Sequence, residues 1–63
     1  MWGFDIYGNA RNAETDDKID IMLSPDGLSR VYFNGKNIGA FRSHQDAVNF
    51  VKDKVEELES SEK

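Results

Sequence analysis

Alternation of apolar and polar residues at the start of the chain predicts a β-strand with one buried face. Trp2, Phe4 and Ile6 are separated by single residues of other types, so all three share one side of an extended strand over 2–7. The next segment, GNARNAETDD at 8–17, has no apolar periodicity and is rich in loop-forming residues. We predict an exposed, mobile loop there.

Three further strands follow, and two short turns connect them. The strands are KIDIML at 18–23, LSRVYF at 28–33 and KNIGAF at 36–41. SPDG at 24–27 has the composition of a type I turn that closes on a left-handed glycine. The pair at 34–35, Asn-Gly, is a strong signal for a tight hairpin.

The two turns predict the partners of each residue across the strands. With a two-residue turn at 34–35 and a three-residue loop at 25–27, the predicted pairs are Val31 with Ile38, Tyr32 with Asn37, Ile21 with Val31, Ile19 with Phe33, and Met22 with Arg30. Although the turns are assigned independently, both place the same apolar side chains on one face: Ile19, Ile21, Val31, Phe33 and Ile38.

The C-terminal part of the chain has the pattern of an amphipathic helix. Ser43 precedes Asp46 by three positions, which resembles a capping box. From Ala47 onward the apolar positions follow helical spacing. Several glutamates crowd the helix end, where the macrodipole disfavours anions, and no glycine caps it. We predict fraying beyond Glu59 and a disordered tail at 60–63.

These elements predict an α+β fold of type β-β-β-β-α, in one small domain over 1–63. An antiparallel meander of three or four strands carries one C-terminal amphipathic helix on one face. The long loop at 8–17 leaves open on which side of the sheet the first strand pairs. Phe41 is expected at the corner between the last strand and the helix. The predicted core is Trp2, Phe4, Ile6, Ile19, Ile21, Val31, Phe33, Ile38, Ala47, Phe50, Val51, Val55 and Leu58.

Composition restricts the classes of function. The chain has no cysteine, so no disulfide or thiolate metal site can stabilise so short a domain. Twelve acidic and eight basic residues give a net charge of −4, which disfavours general binding to nucleic acid. The start of the chain lacks a signal-peptide pattern, and no apolar run is long enough to cross a bilayer. We expect a cytoplasmic protein that does not enter membranes.

One strand-to-helix segment matches a known pattern at Ile38, Gly39, Ala40, Phe41, Ser43, Asp46 and Ala47. In these positions the segment resembles the AP2-type DNA-binding domain, a fold also seen in the arm-binding domains of some integrases. The resemblance implies DNA recognition by arginine and tryptophan side chains on the open face of the sheet. The same residues also suit any strand that ends on a core aromatic and continues into a capped helix.

The sheet face opposite the core is the candidate functional surface. We predict a non-enzymatic interaction or regulatory module that binds a protein partner or itself, with a homodimer as one form. The predicted partner-binding residues, several of types enriched at interfaces, are Tyr7, Met22, Arg30, Tyr32 and Asn37. The alternative is an AP2-like or integrase-arm-like nucleic-acid-binding domain that uses the same face with Lys18, Arg30, Lys36 and Arg42.

No catalytic residue, cofactor or metal site is predicted. His44 is the only histidine, and we expect it to be a packed or edge-exposed residue of the first helical turn rather than a base. The segment ETDD at 14–17 lacks the ligand spacing of a calcium loop and is expected to be a solvated acidic loop. Lys54 falls within the apolar stripe, where its methylenes can pack while its amine reaches water.

Overall fold

The computed structural model, which describes residues 1–61, has one five-stranded antiparallel sheet and one C-terminal helix. The order of strands in the sheet is the order along the chain, so every neighbouring pair is joined by a hairpin. The predicted α+β fold is confirmed, with one more strand than expected. The elements are β1 Trp2–Phe4, β2 Ala10–Asn12, β3 Lys18–Leu23, β4 Ser29–Phe33, β5 Lys36–Phe41 and α1 His44–Ser61.

The additional strand is β2, and it lies within the segment predicted to be an exposed loop. Ala10 pairs with Phe4 of β1 on one side and with Ile19 of β3 on the other. Ala10 and Asn12 are buried, so the prediction of exposure for 8–17 is wrong at these positions. Because β2 separates β1 from β3, the open question about the first strand is answered: it forms an edge of the sheet.

The first strand is shorter than predicted, and this removes two residues from the expected core. Trp2 is buried, but Phe4 is 48% exposed and Ile6 is 91% exposed. β1 ends at Phe4 because the carboxylate of Asp5 accepts hydrogen bonds from the backbone N–H groups of Tyr7 and Asn9, which bends the chain into a turn. The assignment of Phe4 and Ile6 to the core was therefore wrong.

The predicted register is confirmed between β3 and β4 and in part between β4 and β5. All three predicted pairs of β3 with β4 occur, as does the pair of Tyr32 with Asn37. The pair of Val31 with Ile38 is wrong, because β5 contains a bulge and Val31 lies opposite Gly39. The extra residue of the bulge, Ile38, still packs against the core.

The core lies between the helix and strands β3, β4 and β5. Ile19, Val31, Ala47 and Val51 have no solvent exposure, and Val55 is 3% exposed. The rings of Phe41 and Phe50 meet with centroids 5.0 Å apart, which confirms the expected position of Phe41 at the strand–helix corner. The remaining predicted core residues, which pack around this centre in partly buried positions, are Ile21, Phe33, Ile38, Phe50 and Leu58.

The helix begins at His44, directly after its cap. The hydroxyl of Ser43 accepts a hydrogen bond of 3.1 Å from the N–H of Asp46, as the sequence pattern predicted. α1 includes Ser60 and Ser61, which were predicted to belong to a disordered tail; residues 62 and 63 of that tail lie outside the described residues. Within residues 1–61, no helix is long and apolar enough to span a membrane.

Candidate interaction surface at the turn end of the sheet

The open face of the sheet brings together four of the five predicted partner-binding residues. Met22 is 59% exposed, Asn37 is exposed, and Arg30 and Tyr32 are half-buried. The pairing of Met22 with Arg30 and of Tyr32 with Asn37 places all four side chains on the face of the sheet opposite the buried face that contains Val31. The fifth residue, Tyr7, lies in the turn between β1 and β2 and not on a strand, so it is not part of this face.

Arg30 is engaged within the chain. Its Nε donates a 2.8 Å hydrogen bond to the Ser24 hydroxyl, and its guanidinium forms a 2.8 Å ion pair with Asp26. The pKa of Asp26 is lowered, chiefly by the backbone N–H of Leu28 and next by Arg30. Arg30 thus stabilises the β3–β4 turn, and its charge is matched locally.

The basic residues predicted for nucleic-acid binding do not form one patch. Lys36 begins β5 and Arg42 follows its end, so the length of a six-residue strand, roughly 20 Å, separates them. Lys18 lies on β3 with the half-buried acid Asp20 two residues away on the same face. Arg30 is paired with Asp26 as described. A phosphate backbone would meet acids and bases alternately here.

The turn between β1 and β2, residues 5–9, is held by a dense set of hydrogen bonds. One carboxylate oxygen of Asp5 accepts from the N–H groups of Tyr7 (2.9 Å) and Asn9 (3.0 Å). The other accepts from the side-chain amide of Asn9 at 2.9 Å. This last bond is the main reason that the pKa of Asp5 is lowered. Backbone bonds from Asp5 to Asn9 and from Gly8 to Asp5 close the turn.

Two contacts fix this turn to the rest of the domain. The side-chain oxygen of Asn9 accepts a 2.8 Å hydrogen bond from the backbone N–H of Ile21 in β3. Gly8 has a φ of +91° and lies so close to the helix that a Cβ atom there would be 2.5 Å from Cγ2 of Val48. Only glycine suits both the conformation and the contact. The turn is therefore anchored to sheet and helix together.

This anchored turn presents apolar side chains to solvent. Ile6 is 91% exposed and Tyr7 is 64% exposed at its tip. Met22 and Leu23, at the end of β3, are 59% and 77% exposed. β1 and β3 run in the same direction, so their C-terminal ends lie at the same end of the sheet. We call this region the turn end; its residues are Phe4, Ile6, Tyr7, Met22 and Leu23.

An open cleft of about 420 Å³ lies beside the contact between the turn and the first half of the helix. Apolar residues that line it include Phe4, Ile6 and Val48, and Lys52 lies on its helix side. His44 also lines the cleft and is exposed, as one of the two expected outcomes for it. A larger groove of about 670 Å³ runs beside β1 and β2, where Gly3 leaves open space.

No family model matches the chain, and no curated protein or solved structure matches it significantly. The site is therefore interpreted from its own geometry.

The acidic loop at 14–17 is organised by internal contacts. Glu14 pairs with the terminal ammonium of Met1, Asp16 pairs with Arg11 at 2.9 Å, and Asp17 accepts a 2.9 Å bond from the Asn34 amide. Within residues 1–61, no group of three or more histidine, aspartate or glutamate side chains is placed to hold a metal ion. These carboxylates contribute to the turns around them.

Lys54 is half-buried on the helix, and its ammonium lies 3.4 Å from Glu57 of the same helix. The predicted packing of its methylene chain along the apolar stripe fits this position.

Ile6 and Leu23 were not predicted as site residues. For Ile6, the signal that was available is the run Asp5 to Asn9, because an aspartate with Gly-Asn three residues later favours a turn over a continuing strand.

Proposed function

We propose that the protein is a non-enzymatic interaction module that binds a protein through the turn end of its sheet. The observation that carries this proposal is the exposure of Ile6, Tyr7, Met22 and Leu23 at one end of a very small domain. Clustered exposed apolar side chains on a small protein are typical of binding surfaces. Tyrosine is also a residue type that dominates interface energetics.

The construction of the turn supports the same proposal. Binding usually costs free energy because loops must become ordered at the interface. Here Asp5 and Asn9 already fix the backbone, and Gly8 holds the turn against the helix. Ile6 and Tyr7 are thus displayed from a preorganised loop, and little further ordering is needed when a partner covers them.

The binding surface proposed here overlaps only in part with the surface predicted from the sequence. Tyr7 and Met22 remain in the proposed binding surface. Arg30 lies directly opposite Met22 on β4, whereas Tyr32 and Asn37 lie farther from the turn end. Arg30 is less available because it is paired with Asp26. A nucleic-acid function finds less support, since Lys18, Lys36 and Arg42 are spread over the sheet and the chain is acidic overall.

Site-specific photo-crosslinking tests this proposal. A photoreactive phenylalanine analogue at Tyr7, compared with the same analogue at Asn37 on the opposite edge strand, would trap proteins at the turn end in a lysate of the source cells. Each trapped protein is then purified and titrated against the wild-type chain and the Ile6→Asp variant. We expect saturable binding that Ile6→Asp weakens by about tenfold or more.

Two results would overturn it. One is equal crosslinking from Asn37 and Tyr7; the other is binding that Ile6→Asp leaves unchanged. A parallel titration with duplex and single-stranded DNA at two salt concentrations tests the alternative, because saturable and salt-sensitive binding would favour a nucleic-acid function.

A further inference from the structure

We infer that the turn end is self-complementary and that the protein it binds is a second copy of this chain. The inference rests on the proposed function and names the partner. Ile6 and Tyr7 line the turn side of the cleft that their own turn forms with the helix, and both project largely into solvent. When a projection and a cleft lie side by side on one surface, a two-fold axis between them places each projection in the cleft of the other copy.

The cleft has a suitable size and lining for such an exchange. Its volume of about 420 Å³ lies in the range of clefts that bind drug-sized ligands, about 300 to 1,000 Å³, and is large enough to receive one side chain. Phe4 and Val48 supply apolar contacts on its two sides. An isoleucine or tyrosine side chain of a second copy would bury its own surface and that of the cleft at the same time.

Charge also favours a second copy at this surface. The two charged residues that line the cleft have opposite signs, Asp5 on the turn and Lys52 on the helix. Among the described residues, Lys52 has no ion-pair partner, and Asp5 accepts hydrogen bonds only from neutral groups. In a two-fold pair, the Lys52 of one copy lies opposite the cleft of the other copy. That cleft is lined by the Asp5 of the other copy, so the two opposite charges face each other across the axis.

The largest group of acidic side chains lies away from the turn end, while Asp26 at the same end of the sheet is paired with Arg30 and Asp46 lies in the first turn of the helix. The second half of the helix carries Asp53, Glu56, Glu57 and Glu59, and all four are exposed. Two copies that meet at the turn end therefore avoid the strongest like-charge repulsion that the net charge of −4 would otherwise cause. An approach of helix to helix would bring these carboxylates together.

Sedimentation equilibrium of the full chain tests the inference, with two variants of matched chemistry. Ile6→Asp places a charge on the projection, while Ala40→Asp places the same charge at an exposed position of β5, outside both the cleft lining and the turn end. We expect the wild type to dimerise, Ile6→Asp to raise the dissociation constant by about tenfold or more, and Ala40→Asp to change it less than about threefold. Circular dichroism verifies that both variants are folded.

Crosslinking between copies tests which residues of the two copies lie close to each other in the dimer. The chain has no cysteine, so single-cysteine variants are unambiguous. Mixed Tyr7→Cys and Lys52→Cys chains should form the mixed crosslink with a short bismaleimide, and mixed Tyr7→Cys and Asn37→Cys chains should not.

Three outcomes would overturn the inference: a wild type that stays monomeric, a dimer that Ile6→Asp leaves intact, or a crosslink that favours Asn37. A monomeric wild type that still gives a partner trapped from Tyr7 and lost in Ile6→Asp would refute the dimer and leave the proposed function standing. If both the dimer and the trapped partner are absent, the proposed function fails as well.

Discussion

Single carboxylates determine the shape of three turns in this domain. Asp5 organises the β1–β2 turn through Asn9, Asp17 binds the amide of Asn34, and Asp26 accepts the N–H of Leu28 and the charge of Arg30. Each of these bonds favours the ionised carboxylate, and the pKa of each group is accordingly lowered. The stability that these turns give to the fold therefore depends on pH.

The sign of this linkage gives a prediction for acid stability. A carboxylate with a lowered folded-state pKa stabilises the fold above its unfolded pKa, and the contribution is lost as the pH falls through the folded-state value. As far as Asp5, Asp17 and Asp26 are concerned, we expect the free energy of unfolding in urea to be independent of pH above about pH 5 and to fall with pH below about pH 4.

The matched variants for this measurement are Asp17→Asn and Asp53→Asn. Asp17→Asn keeps an acceptor for the Asn34 amide and removes the titration, so the loss of stability on acidification should shrink. Asp53 is exposed on the helix away from the turns, and its replacement should leave the loss as it is. If acidification reduced the free energy of unfolding of Asp17→Asn as much as that of the wild type, the role given to the Asp17 carboxylate would be contradicted.

Gly8 provides a test of how the turn is anchored. Gly8→Ala requires a side chain at a φ of +91° and places a methyl group 2.5 Å from Val48. We expect a destabilisation of about 2 to 3 kcal/mol, measured by urea unfolding. Gly27→Ala, at a φ of +86° in open space, should cost only about 1 kcal/mol.

A double variant separates the two causes. Val48→Ala removes the methyl group that Gly8→Ala would strike, so the two changes together should cost less than the sum of their separate effects. Strict additivity would show that the turn does not rest on the helix.

At the scale of the elements, the accuracy of sequence-based prediction depended on the turns. The pairing of β3 with β4 was predictable because Pro25, Asp26 and Gly27 specify one loop geometry. β2 was not, since it has three residues and its only apolar side chain is Ala10. The bulge in β5 was equally hidden, because Ile38 and Gly39 are both acceptable opposite Val31.

The β4–β5 turn illustrates how one residue can serve two elements. Asn34 adopts a φ of 52°, its side-chain oxygen accepts the N–H of Lys18, and its own N–H donates to the carbonyl of Lys18, both at 2.9 Å. The hairpin turn is thereby attached to the start of β3. Asparagine tolerates this conformation better than most residues with a side chain.

Replacing Asn34 should therefore weaken the attachment of the hairpin turn to β3 for two separate reasons, the loss of the side-chain bonds and the loss of a residue that tolerates a positive φ. Asn34→Ala loses both the favourable conformation and the side-chain bonds, and we expect a cost of about 1 to 2 kcal/mol in urea unfolding. Asn34→Gly keeps the conformation and loses only the side chain, so it should cost less than Asn34→Ala. A more severe effect of glycine than of alanine would contradict this account.

At the scale of the whole molecule, the binding residues predicted from the sequence overlap only in part with the interaction surface that we propose from the structure. Tyr7 and Met22 were predicted as binding residues from their types. Ile6 was assigned to the core, because the alternation of Trp2, Phe4 and Ile6 continues past the point where the Asp5 turn ends the strand. Periodicity indicates which residues share a face only while the strand continues.

Charge and apolar surface are unevenly distributed over residues 1–61. Four exposed acidic residues lie in the second half of the helix, and most of the large exposed apolar side chains lie at the turn end. A partner approaching the turn end meets Ile6 and Tyr7 beside a cleft with one acid and one base. We therefore propose that a partner is recognised by the turn and the first half of the helix.

Dilution of the isotopically labelled protein, followed by two-dimensional NMR, tests this central assignment most directly. We expect concentration-dependent shifts in the amide signals of residues 4–8 and 44–52, which border the cleft, while the signals of β5 stay constant. Changes that centre on Tyr32 and Asn37 of the open face would contradict this assignment, and signals that do not change with concentration would refute the self-association of the turn end.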